Sequence, residues 1–195
     1  VAERWSDILQ LRPRGVESRW CLQGPGNALA ALACDLGLHA AAGPLPPQAQ
    51  RSGAAGLWLQ LGPQEAWWMP GGDPPGAAAA RVEAVLRSGT GLLRLGDPAG
   101  TDRGATDNGP VIACADLGDA FIGWDLAGPG WDEFLALGCP LDLARLGSGR
   151  CARTRLAQAP VVLAPQAQQG CTLWTERSHG AYLGRWLDLA ASSTC

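Results

Sequence analysis

Val16, Trp20 and Leu22 fall at even spacing along an otherwise polar run, which predicts a strand over residues 14–22. Gly24-Pro25-Gly26 then turns the chain. An Ala/Leu-rich stretch predicts a helix over 27–36, stopped by Gly37 where helices favour glycine. Residues 42–52 hold Gly43-Pro44, Pro46-Pro47 and glutamines without periodicity, and read as an exposed loop. Two apolar runs, 57–61 and 66–69, flank Gly62-Pro63-Gln64-Glu65, a hairpin turn with proline at its first central place. Asp73 before Pro74-Pro75 offers a helix cap and a first-turn proline. The helix it starts is expected over 77–86, with Ala80, Val82, Val85 and Leu86 inward. A Gly/Asp/Thr-rich loop at 96–109 precedes strands at 111–114 and 120–126 and a helix at 131–137 ended by Gly138. A strand at 156–163 pairs with 171–175. The last helix, 179–189, is capped by Ser178 and carries Tyr182, Leu183, Trp186 and Leu187 at helical spacing.

The segment Trp20-Cys21-Leu22-Gln23-Gly24-Pro25-Gly26 returns as Trp124-Asp125-Leu126-Ala127-Gly128-Pro129-Gly130, identical at five of seven positions and offset by 104 residues. Each copy sits where a strand meets a corner and then a helix. The expected fold is α+β: a duplicated βαββα unit, with antiparallel sheets and helices packed on one face. One compact body is expected over 1–195, with pseudo-repeat halves at about 14–95 and 110–192.

Composition narrows the function. Charged residues make up 17% of the chain and hydrophobic ones 47%, so the surface is charge-poor against a usual charged share of about a quarter. All 15 basic residues are arginine and the net charge is −3, which excludes Schiff-base and phosphate-loop lysines and gives no basic footprint for nucleic acid. The seven cysteines, Cys21, Cys34, Cys114, Cys139, Cys151, Cys171 and Cys195, form no C-x-x-C and have mostly apolar neighbours; buried thiols in a reducing cytoplasm are expected. Two histidines are too few for a protein-only zinc site. Residues 1–19 show no secretory h-region, and no apolar stretch reaches the length of a membrane span.

The remaining candidates for chemistry have plainer explanations. The two Gly-Pro-Gly corners resemble anion cradles at helix starts, but proline removes a backbone donor, and strand-to-helix corners are the favoured reading. Ser178 beside His179 lacks an orienting third group. Cys139 and Cys151 have no adjacent Lys or His to activate a thiol. Asp116, Asp119 and Asp125 read as solvated charges at strand ends, and His39 as a surface side chain. No catalytic, cofactor-binding or metal-binding residue is assigned. The nine tryptophans exceed what a core of this size requires, and indoles are enriched at interfaces, which suggests a subunit covered by partners.

Several segments resemble, in order, the gamma subunit of heterotetrameric sarcosine oxidase. The stretch from Gly56-Leu57-Trp58 through Gly62-Pro63-Gln64-Glu65-Ala66-Trp67-Trp68 is similar to its aliphatic strand, Gly-Pro turn and Trp return. Residues 119–128 resemble its strand ending in a Gly turn, and Gly138-Cys139-Pro140-Leu141-Asp142-Leu143 its segment after a helix. Arg150-Cys151-Ala152-Arg153-Thr154-Arg155-Leu156 resembles its R-T-x-L strand entry, and Arg177-Ser178-His179-Gly180-Ala181-Tyr182-Leu183 its R-S-x-x-x-Y-L helix start. The likeness runs over about 57–189. It implies the folate-binding-domain fold of aminomethyltransferases such as the glycine-cleavage T-protein. It also implies a non-catalytic role beside alpha, beta and delta subunits that hold NAD, a folate region, FAD, FMN and zinc. The chain lacks the Tyr-x-Gly-Glu tract of aminomethyltransferases and the Lys-Gly-Cys-x-x-Gly-Gln tract of related iron–sulfur assistance proteins, so no folate is expected on it. The expected alternatives are a stand-alone folate-binding protein of the aminomethyltransferase type and, behind it, a hydrolase using Cys151 or Ser178.

Overall fold

The hairpin expected around Pro63 forms the middle of a sheet. In the computed structural model, which describes residues 4–40, 44–71, 80, 84, 92–94, 112–167 and 170–193, β4 (Gly56–Gly62) and β5 (Glu65–Met69) pair across that turn. The chain divides into two compact units, one Glu17–Gly118 and the other Val1–Val16 with Asp119–Cys195.

The Glu17–Gly118 unit adds β2 (Trp20–Gln23), β3 (Gln50–Gly53), β6 (Leu92–Arg94) and β7 (Ile112–Asp116), in the order β3-β4-β5-β2-β7-β6. Its described ladders are antiparallel except β6 with β7, which is parallel and departs from the expected antiparallel rule. Period-two alternation puts Trp20, Leu22, Trp58, Ala66 and Trp68 on one face. There they meet Ala28, Leu29, Leu32 and Ala33 of α2 (Gly26–Asp35) in one core. Gly37 adopts φ 70° after α2, and Leu38 N–H returns to Ala33 O at 2.8 Å, as the glycine stop predicts.

The other unit contains α1 (Trp5–Ile8), β1 (Gln10–Pro13), β8 (Phe121–Ala127), α3 (Trp131–Ala136), β9 (Ala152–Leu156), β10 (Ala159–Gln166), β11 (Gly170–Glu176) and α4 (Arg177–Ala191). Its sheet runs β1-β8-β11-β10-β9, antiparallel throughout. Trp5, Phe134, Leu135, Leu173, Leu183 and Leu187 lie in its core, with the Trp5 and Phe134 rings 5.8 Å apart. Gly180 and Gly184 let α4 lie close on β8, against Ile122 and Trp124.

The duplication is real, and its halves exchange a strand. Orders β3-β4-β5-β2-β7 and β9-β10-β11-β8-β1 match position for position. The strand before β2 is β1, yet it pairs with β8; the strand before β8 is β7, yet it pairs with β2. Halves drawn at 14–95 and 110–192 therefore put β7 with the wrong sheet, because a strand's sequence sets its faces and not its neighbour.

Four local expectations are corrected. Of the strand expected at 14–22 only its end forms, as β2 from Trp20; β1 lies before that range and in the other sheet, and Val16 between the two is 71% exposed. The loop at 42–52 contains the start of β3, whose Gln50 is buried opposite Leu59. The strand at 156–163 is a hairpin, β9 and β10, folded at Ala157 and Gln158 with φ 49° and 70°. Ser178 is exposed inside the first turn of α4; Glu176 holds the cap position and makes no side-chain cap bond. The helix expected at 77–86 (apart from Ala80 and Ala84, which are helical), its Asp73 cap and the 96–109 loop lie outside the described residues.

Candidate functional site

Both Gly-Pro-Gly corners are filled by protein. A Cβ on Gly26 would lie 2.9 Å from Pro63 O, and Gly128 and Gly130, at φ 132° and 76°, pass against Ile8 O and the Trp5 ring. Glycine is needed there for close backbone approach, as the plainer reading expected. Of the nine tryptophans, Trp5, Trp20, Trp58, Trp67, Trp68 and Trp174 are buried. Trp124, Trp131 and Trp186 are half-buried against the second core. Core packing thus absorbs most of the indoles, and their number does not mark an interface.

The thiols are placed for packing. Cys114, Cys139, Cys151 and Cys171 are buried, and the six described cysteines are not in disulfides. Burial pushes the Cys151 thiol up from 9.0 to about 12, with the Arg150 charge pulling the other way; burial also raises Cys171. A thiol so raised is no nucleophile at neutral pH. Cys139 Sγ lies 3.9 Å from Thr154 Oγ1. No hydrogen bond joins Ser178 to His179, consecutive residues on α4 that point in different directions. His39 is half-buried, its N–H bonded to Ala33 O at 3.2 Å, and is not the surface side chain expected. Among the described residues no cluster of three or more His, Cys, Asp or Glu is placed to hold a metal, and no helix is long and apolar enough to cross a membrane.

Asp125, expected as a solvated edge charge, is still 41% exposed at its side chain but is paired. Arg14 Nη1 donates to both its oxygens, at 2.7 and 2.8 Å, and Thr172 Oγ1 donates to Oδ1 at 2.7 Å. Gln166 Nε2 donates in turn to Thr172 Oγ1 at 3.0 Å. The carboxylate, still partly open to solvent, ties β8 to β11 and to the chain just beyond β1. Asp116 caps the turn at Gly118 N (2.9 Å), and Asp119 lies 3.8 Å from Arg177.

An open groove of about 560 Å³ lies where the end of α3, the β9–β10 turn and α4 converge. Trp186 packs against Gly138, where a Cβ would fall 2.7 Å from the indole. Tyr182 Oη donates to Ala157 O at 2.8 Å and fixes one wall. Leu137 and Tyr182, 56% and 52% exposed, border the opening beside Arg155. Sequence reading placed Tyr182 and Trp186 at helical spacing but missed the groove, because it depends on the unrecognised turn.

No protein-family model matches the sequence, and no curated protein matches it. Solved structures do match. Heterotetrameric sarcosine oxidase from Corynebacterium sp. U-96, in complex with pyrrole 2-carboxylate, aligns with a TM-score of 0.70 at 23% identity, over 94% of this chain and 84% of that one. Glycine cleavage system aminomethyltransferase T from Bartonella henselae aligns with a TM-score of 0.64 at 12% identity, over 92% of this chain and 45% of that one. The fold is aminomethyltransferase-like. This fold carries the duplicated α+β unit expected from the repeat, and the resemblance read in residues 57–189 holds at the level of the fold. The chain spans less than half of the aminomethyltransferase but most of the sarcosine oxidase chain, which is therefore close to it in length.

Proposed function

We propose that this chain is a non-catalytic structural subunit of a heterotetrameric, flavin-dependent sarcosine oxidase complex. The observation that carries this reading is the near end-to-end match, in fold and length, to one chain of such a tetramer. The raised, buried thiols and the separated Ser178 and His179 support it. In this reading the partners are alpha, beta and delta subunits in the cytoplasm. They hold FAD, FMN, NAD, tetrahydrofolate and zinc. Together they demethylate sarcosine or a related N-methyl amine to glycine and hydrogen peroxide and pass a one-carbon unit to tetrahydrofolate. This chain buttresses them and holds no cofactor. Co-expression with the flavoprotein subunits of its host, followed by size-exclusion chromatography, tests the proposal: co-elution of a flavin-containing complex is expected, and a monomer free of flavoprotein overturns it.

The match to aminomethyltransferase T favours a second reading, a stand-alone folate-binding protein. Calorimetric titration of the isolated chain with tetrahydrofolate separates the two: saturable binding supports the second, and no heat supports the first.

A further inference from the structure

Along β9 one residue type returns at alternate positions on one face. Ala152 and Leu156 point into the core shared with α3 and α4, while Arg153 and Arg155, both exposed, stand on the opposite face of the sheet. β9 is the last strand of that sheet, and its described ladder runs to β10. The two-residue turn at Ala157-Gln158 closes on the pair Leu156–Ala159, which makes Leu156, Thr154 and Ala152 the hydrogen-bonded positions against β10. Pro160, with no N–H to give, stands opposite Arg155, as that alternation requires. The N–H and C=O of Arg153 and Arg155 are therefore turned toward the outer edge. The residues that present main-chain hydrogen-bonding groups to that edge are the same two that carry the cations.

Arginine on an edge deters pairing with a like edge. The edge strands of this chain all include it: Arg12 in β1, Arg51 in β3, Arg94 in β6, and Arg153 and Arg155 in β9. An edge shared between two copies would bring like charges together. A strand with Asp or Glu at alternate positions does the opposite, setting each carboxylate across from an arginine.

Resting on the subunit role proposed above, we propose that the β9 edge takes up an acidic, extended segment of a partner subunit as a further strand of its sheet. The added strand runs antiparallel to β9, like every neighbour in that sheet. Its main chain bonds Arg153 and Arg155, and its carboxylates at i and i+2 meet the two guanidiniums on the face away from α4. The main chain supplies affinity and the alternate acids select the partner.

The test is titration of the flavoprotein subunits of its host with this chain, wild type and variants, each variant first shown to be folded by circular dichroism. Arg153→Glu with Arg155→Glu is expected to weaken assembly about tenfold or more, and Arg185→Glu, the same charge change at an exposed place on α4, to leave it unchanged. Arg155→Pro removes an outward N–H and spares the ladder to β10, so it is expected to bind about fivefold more weakly than Arg155→Thr. Equal affinity of those two variants overturns strand addition. Wild-type affinity in the double Glu variant overturns the docking edge while the subunit reading stands. Arg153→Thr with Arg155→Thr assembling as tightly as wild type but self-associating on size-exclusion chromatography also overturns it, since the arginines then only keep copies apart. Failure of wild type to assemble at all overturns the subunit reading and this proposal with it.

Discussion

Gly37 shows how far a single residue can be read and tested. Its φ of 70° lies in the left-handed region, and a Cβ there would touch nothing within 4 Å, so only backbone conformation is at stake. Gly37→Ala is expected to cost about 1 kcal/mol by denaturant titration. This position was legible because one local conformation demands one residue type. Asp125 was not, because its partner Arg14 stands 111 residues away in sequence. Cys151 was legible as a buried thiol from its neighbours, and its burial has a pH consequence. Folded, the thiol stays protonated up to about pH 12; unfolded, it ionises near its ordinary 9.0. Above that ordinary value the unfolded chain binds fewer protons than the folded one, so stability falls as pH rises from about 9 toward 12. Urea midpoints across that window should decline less steeply in Cys151→Ala than in wild type.

Turns decide what is legible among the elements. The hairpin at 57–69 was readable because Pro63 presets the first turn position. The β9–β10 hairpin was invisible because Ala157 and Gln158 sit where Asn and Gly are favoured. That mismatch is testable: Gln158→Gly should relieve left-handed strain and raise stability by up to about 1 kcal/mol, read as a higher thermal midpoint. The start of α4 carries the opposite lesson. Ser followed by an amphipathic run resembles a cap, but the helix begins earlier, at Arg177. Ser178→Ala should therefore shift the denaturation midpoint by less than about 0.5 kcal/mol, where loss of a working cap costs about 1 kcal/mol. The amphipathic spacing itself was sound: Leu183 and Leu187 reach the core while Tyr182 and Trp186 face the groove.

At the scale of the whole molecule, the repeat announced the architecture, yet the exchanged strands could not be read from it. β1 precedes one half and β7 opens the other along the chain, and only pairing reveals that each serves the other half. Fragments separate these views. A piece spanning 17–118 keeps β2 between β5 and β7 and is expected to melt cooperatively by circular dichroism, whereas 14–95 leaves β2 as an unpaired edge and is expected not to fold. Trp5→Ala, by emptying a buried site beside Phe134, should cost about 3–5 kcal/mol. The exchange also orders events on the ribosome. The Glu17–Gly118 unit is complete once its last strand has emerged, but β1 must wait, unpaired, until β8 has been translated more than a hundred residues later. A nascent chain therefore carries β1 unpaired while the whole Glu17–Gly118 unit is made, with polar Gln10 and Arg12 and the imino ring of Pro13 to keep it from pairing with strangers.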